Sequence, residues 1–366
     1  MIACANAVFA AASSRFVLPE LALLVGVGCY FLTMHRFMAQ MRDQPRSRWI
    51  TKLLDEPLFA HFGASAFALL MSPLCALLAL ALMLAGRAPG FGALGSFRAT
   101  EGYAYAFGLA LSIWAIWIER RWVRIRHVDV AIADLPEAFE GYRIAQLSDL
   151  HVGSFDPKAR ALEWVALSNA QQPDLAVVTG DLVTSGTGFY ADVADAIAEL
   201  RAKDGVFVSM GNHDQWNNDE LSRFVAERGP VVLRNAWHTI RRGEAQLTLA
   251  GLSGRVMPGD VERVVSSCPD GVPIIFLSHY PSAFAAAAAA GADLVLAGHS
   301  HGGQLGVPFL SRYLNLARLT GQPSRGLVRS GKSAMYVNAG LGTTGPPMRL
   351  AVPPEIALIT LRRAAP

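Results

Sequence analysis

The chain has 366 residues, of which 52% are hydrophobic and 17% charged, against about 25% charged in ordinary soluble domains. That length supplies about two domains with ample core and excludes a small disulfide scaffold. A net charge of +3 without a polybasic tail excludes a general nucleic-acid footprint.

The charge is unevenly spread, because residues 1–120 hold only 9 of the 32 Lys and Arg and 6 of the 29 Asp and Glu. Three apolar runs there are expected to span a membrane: Phe16 to Met34, broken only by Glu20; Pro57 to Gly86, with no charge; and Gly102 to Ile118, between Glu101 and Glu119. Trp114, Trp117 and Trp122 cluster at one end of the third, where amphipathic rings favour the headgroup level. Burial of these runs in a large soluble core is disfavoured by the length of the middle one. Residues 1–14 lack the basic stretch of a signal peptide. Arg36, Arg42, Arg46, Arg48 and Lys52 follow the first run and Arg120, Arg121, Arg124 and Arg126 follow the third, against Arg87 and Arg98 after the second. The positive-inside rule then predicts a multi-pass inner-membrane protein with its C-terminal domain on the cytoplasmic side.

Residues 121–141 read as a linker and first strand, and residues 142–366 as an α/β domain. Short apolar runs predict strands at Tyr142–Ser148, Leu175–Thr179, Val206–Met210, Gln246–Gly251, Ile274–Ser278, Leu294–Ala297, Ala334–Asn338 and Ile356–Leu361. Helices are expected over Pro157–Ala170, Tyr190–Arg201, Asn218–Arg228 and Ser282–Ala290. Among the four scattered cysteines only Cys268 lies in this domain, so no cysteine-based zinc site can form there.

Five polar clusters each follow a predicted strand: Asp149-Leu150-His151, Gly180-Asp181, Gly211-Asn212-His213-Asp214, Ser278-His279, and Gly298-His299-Ser300-His301. Loops at the carboxyl edge of a sheet are where ligand sites lie, so the clusters can converge on one pocket. Asp149, His151, Asp181, Asn212, His279, His299 and His301 form a mixed N/O donor set suited to Mn, Fe or Zn. Seven donors exceed one tetrahedral ion. Two divalent ions about 3.5–4 Å apart, sharing a carboxylate and a hydroxide, would use them all.

Asp-x-His, Gly-Asp, Gly-Asn-His-Asp, His and Gly-His-x-His, in this order, resemble the calcineurin-like metallophosphoesterase superfamily. The resemblance implies a four-layer α/β/β/α sandwich. It also implies a first metal on Asp149, His151 and His301, a second on Asn212, His279 and His299, a bridging Asp181, and a catalytic His213 oriented by Asp214. The Ser148-to-Gly153 stretch, Gly302-Gly303-Gln304 and the tail from Gly340 to Pro347 are similar to a bacterial membrane-associated branch that includes UDP-2,3-diacylglucosamine hydrolases. Leu182-Val183-Thr184-Ser185-Gly186 departs from the protein phosphatases of the superfamily and argues against phosphoprotein substrates.

The expected function is metal-dependent hydrolysis of a phosphodiester or pyrophosphate by in-line attack of the bridging hydroxide, on a membrane-associated or lipid-linked substrate. The competing expectation is a non-catalytic, membrane-anchored module that binds a phosphorylated ligand. An apolar-basic insertion between Gln304 and Arg329 reads either as a loop packed on the domain or as an interfacial lid.

Overall fold

The computed structural model describes residues 19–41, 45–86, 92–254, 256–319, 321 and 323–364. Residues 1–14 and the start of the first predicted span lie outside these. The chain forms two compact units: a helical one containing most of the chain up to Ile118 together with Gly345–Met348, and an α/β one containing Glu119–Thr344 and Arg349–Pro366.

In the helical unit, α1 is Pro19–Met41, α2 is Glu56–Leu84 and α3 is Gly92–Ile113. Helix α2 is entered through a π-helical turn at Thr51–Asp55, and α3 leaves through another at Trp114–Ile118. Small residues let α2 and α3 approach closely: a side chain at Gly108 would collide with Phe67 and the Ala64 carbonyl, and one at Gly63 would collide with Ser112. His61 Nδ1 lies 3.0 Å from the Tyr105 hydroxyl across the same seam.

Two helical segments, Arg48–Leu84 and Phe97–Arg121, are long and apolar enough to cross a membrane. The described apolar stretch of α1, Leu24–Ala39, carries Arg36, which sits 2.9 Å from Asp55 in a buried ion pair. Among the described residues the structure thus offers two such helices where three spans are predicted. Only 17% and 28% of their most apolar windows are buried, and Leu70, Leu74, Leu77, Tyr103 and Phe107 are exposed.

Among the described residues, the α/β unit contains two six-stranded sheets. One is ordered β1-β12-β2-β3-β4-β5, with β1 Arg124–Ile132, β2 Arg143–Leu147, β3 Leu175–Thr179, β4 Val206–Ser209, β5 Val231–Val232 and β12 Glu355–Arg363. The other is ordered β10-β11-β9-β8-β7-β6, with β6 Ala236–Arg242, β7 Ala245–Gly251, β8 Ile274–Leu277, β9 Leu294–Ala297, β10 Gly326–Ser330 and β11 Ser333–Val337. Every residue of β3 and of β9 is buried, as expected of central parallel strands covered on both faces.

Three apolar clusters define the layers. The central one joins the sheets through Ile144, Val177 and Phe207 of the first and Leu249, Ile275 and Leu296 of the second. On the outer face of the first sheet, Leu147, Val178 and Val208 pack with Trp164 of α4 (Lys158–Asn169), Val193 and Ile197 of α5 (Tyr190–Ala198) and Leu221 of α6 (Asn218–Ala226). On the outer face of the second, Phe276 and Val295 pack with Val261 and Val264 of α7 (Asp260–Ser266) and Ala287 of α8 (Phe284–Ala290). This is the expected four-layer α/β/β/α sandwich.

Candidate metal centre

All five polar clusters follow parallel strands: β2, β3 and β4 in one sheet, β8 and β9 in the other. The strands therefore deliver them to one edge, and backbone geometry turns the side chains inward. Asp149, His151, Asp181, His299 and His301 all have φ between 45° and 69°, the left-handed region that non-glycine residues rarely occupy. Each such residue costs about 1–3 kcal/mol, and clustering of the strain marks a functional site.

The donor atoms converge in two groups, Asp149, His151, Asp181 and His301 in one and Asp181, His279 and His299 in the other, each within 4.8 Å. Asp181 belongs to both. His151 Nε2 is 3.0 Å from His301 Nε2 and 3.5 Å from Asp181 Oδ2. His279 Nε2 is 3.1 Å from the same Oδ2 and 3.2 Å from His299 Nδ1, while His301 Nε2 is 3.3 Å from Asp149 Oδ1. Asn212 Oδ1 is buried without a hydrogen-bond partner. Ring nitrogens facing one another, carboxylates between them and an orphaned amide oxygen form a donor set that fits divalent cations.

The backbone fixes several of these groups. His279 Nδ1 donates to the Thr179 carbonyl at 2.9 Å, which directs Nε2 at Asp181. Asp149 accepts from the His299 N–H at 3.0 and 3.1 Å, and Asp181 Oδ1 accepts from the His213 N–H at 2.9 Å. Gly298 must be glycine, because a Cβ there would strike Ser148 Oγ and Asp149 Oδ2. Gly298→Ala is expected to cost about 1–3 kcal/mol by overpacking, and to lower metal content as Asp149 is displaced. Thermal denaturation and metal analysis of the variant check both effects.

Burial sets the protonation pattern. It pushes His151 down to about 3, and, with the His279 charge beside it, His299 to about 4. His301 falls well below its ordinary value for the same reason, helped by His151 and Arg349. These three rings are neutral near neutral pH, the form in which imidazole binds metal. For His279 burial acts downward but the Asp181 carboxylate overrides it and raises the ring; Asp181 is held far below the usual carboxylate range against its own burial. Burial lifts Asp149 to about 6 and, with repulsion from Asp181, Asp214 to about 7.

The expectation that Asp214 orients His213 is corrected. His213 Nδ1 donates to the Thr184 carbonyl at 2.5 Å, whereas Asp214 accepts from the backbone N–H of Leu182 at 2.8 Å, Val183 at 3.3 Å and Gly211 at 2.8 Å. Asp214 is thus a clamp joining the loops after β3 and β4. The His213 ring stands edge-on to His151, centroids 4.8 Å apart.

Sequence reasoning also missed Arg349. Fully buried, it donates to the carbonyls of Gly342 at 2.6 Å and Ala339 at 2.9 Å, and its Nη2 reaches to 3.5 Å from His301 Nδ1. The available signal was one cation within the otherwise uncharged Met348-to-Val352 stretch.

Comparison with known proteins agrees with this geometry. The calcineurin-like phosphoesterase family matches residues 142–303. The chain is 32% identical over 286 residues to a zebrafish (Danio rerio) transmembrane protein with a metallophosphoesterase domain, covering 74% of this chain and 64% of that protein. It is 30% identical over 262 residues to a metallophosphoesterase of Aquifex aeolicus, covering 67% of this chain and 94% of the relative. The chain belongs to the calcineurin-like metallophosphoesterases, a family of metal-dependent hydrolases. It is also 28% identical over 234 residues to the Escherichia coli phosphodiesterase YaeI, covering 60% of this chain and 82% of that protein.

Proposed function

We propose that the chain is a dinuclear, metal-dependent phosphodiesterase or pyrophosphatase acting on a membrane-associated or lipid-linked substrate. The observation that supports this best is the Asp181 carboxylate, common to both donor groups. Asp149, His151 and His301 would hold one ion and Asn212, His279 and His299 the other, with Asp181 between them; Mn, Fe and Zn all suit such donors. When bound, the ions supply a water-derived nucleophile at neutral pH and offset charge on the phosphoryl oxygens.

The chain's own residues do the rest. The Thr184 carbonyl holds His213 by Nδ1, leaving Nε2 to donate a proton to the departing oxygen. Asp214 and Arg349 hold the loops that carry the donors. A phosphodiester or pyrophosphate leaves behind an oxygen that needs that proton, which gives His213 its role.

The apolar, exposed surfaces of the two long helices favour a lipid surround, since a soluble core would bury them. A two-span hairpin brings the Arg-rich flanks at Arg36 to Lys52 and Arg120 to Arg126 to one face, cytoplasmic by the positive-inside rule. The zebrafish relative is itself named a transmembrane protein.

The functional test is hydrolysis of bis-p-nitrophenyl phosphate and p-nitrophenyl phosphate by the full chain in detergent, stripped by chelator and then reloaded with Mn²⁺. Metal-dependent turnover that favours the diester is expected. A fully loaded chain that turns over neither these compounds nor lipid-linked diphosphates would favour a ligand-binding module.

Loading should also release protons. The proton on His279 must leave when Nε2 takes a metal, so affinity rises with pH while the pH is below the raised value of that ring. Below about 6, Asp149 holds a second proton that must leave too. Calorimetry in buffers of different ionisation enthalpy should detect proton release at about pH 7 and a larger release at about pH 5. Loading without proton release would contradict the His279–Asp181 pairing.

A further inference from the structure

We propose that residues 307–319 form a membrane-inserting loop that docks the α/β unit on an anionic lipid surface. The inference builds on the membrane reading above but not on catalysis. The loop is a built element: Val307 N–H donates to the Leu314 carbonyl at 2.9 Å, Gly306 pairs with Asn315, and Asn315 Nδ2 donates to the Ser311 carbonyl at 2.7 Å. Arg325 Nη2 ties its far side to Ser311 Oγ at 3.0 Å, and Ser300, between the donors His299 and His301, bonds the Ser324 carbonyl. These bonds fold the loop back on itself, and Ser300 ties its base to the rim of the metal centre.

Its apolar side chains face outward, the reverse of an ordinary solvated loop. Phe309 is fully exposed, Leu319 is 83% exposed, and Leu310, Tyr313, Leu314 and Leu316 are each about half exposed or more. Their neighbours identify the occupant. From Leu294 to Pro354 the chain has no Asp or Glu, whereas Arg312, Arg318 and Arg329 are exposed around the loop. Aromatic and aliphatic tips ringed by arginines match an interface of acyl chains under anionic headgroups. A second copy of this chain would oppose cation to cation.

Depth measurement tests this independently of turnover. The full chain, with its four native cysteines replaced by alanine, is spin-labelled at Phe309→Cys or, as a solvent control, at Glu244→Cys in the β6–β7 turn. It is then placed in phosphatidylcholine discs with and without phosphatidylglycerol. The label at 309 should become severalfold more accessible to oxygen than to a polar nickel complex in the phosphatidylglycerol discs, while the control label shows the opposite. Arg312→Glu combined with Arg318→Glu should abolish that immersion. Equal solvent access at both sites, spin–spin coupling between copies without immersion, or immersion unaffected by the charge reversal would each overturn the proposal.

Discussion

Asp181→Ala is expected to lose both metal ions and to reduce diester turnover to background, while the chain stays folded. The carboxylate is common to both donor groups, with Oδ2 3.1 Å from His279 and 3.5 Å from His151. Removing a ligand of only one group should leave the other ion in place. Asp181 also accepts the backbone N–H of His213, so its loss disturbs the proton donor as well. Metal analysis of the purified variant, with turnover in parallel, checks this. Metal content equal to that of the wild type would remove the assignment of a shared carboxylate.

His213→Ala should behave differently, keeping its metals and losing about 10²–10⁴ in turnover, the usual contribution of a general acid. The loss should shrink for substrates whose leaving group is already acidic, because a p-nitrophenolate leaves without protonation. The informative comparison is therefore a p-nitrophenyl diester against an alkyl diester in the same variant. An equal loss on both would mean that His213 positions the phosphate and does not donate a proton to the leaving oxygen.

The site was legible in the sequence because each donor cluster follows a short apolar run of strand length. Leu175–Thr179 followed by Gly180-Asp181 shows the pattern, and the observed strand has those bounds. What escaped was structure without a hydrophobic signature. Strand β6, Ala-Trp-His-Thr-Ile-Arg-Arg, lies at a sheet edge with one buried residue, so neither alternation nor an apolar run announces it. Strand β10 has no buried residue, and α7, although Val261, Val264 and Val265 are buried, is too short at seven residues to show a period.

Partners were harder still. The Thr184 carbonyl that holds His213 is a backbone acceptor, which any residue supplies, and Asp214 offered an obvious but mistaken alternative in the next position. The left-handed backbone at Asp149, His151 and Asp181 was equally invisible, because sequence flags that conformation mainly at glycine.

The measurement that bears most directly on a shared-carboxylate dinuclear centre is metal stoichiometry against activity. Chelator-stripped full chain would be titrated with Mn²⁺ while bound metal and diester turnover are followed together. Turnover should track occupation of the second ion and be lost again on stripping. Full turnover with a single ion bound per chain, or turnover that survives stripping, would contradict such a centre.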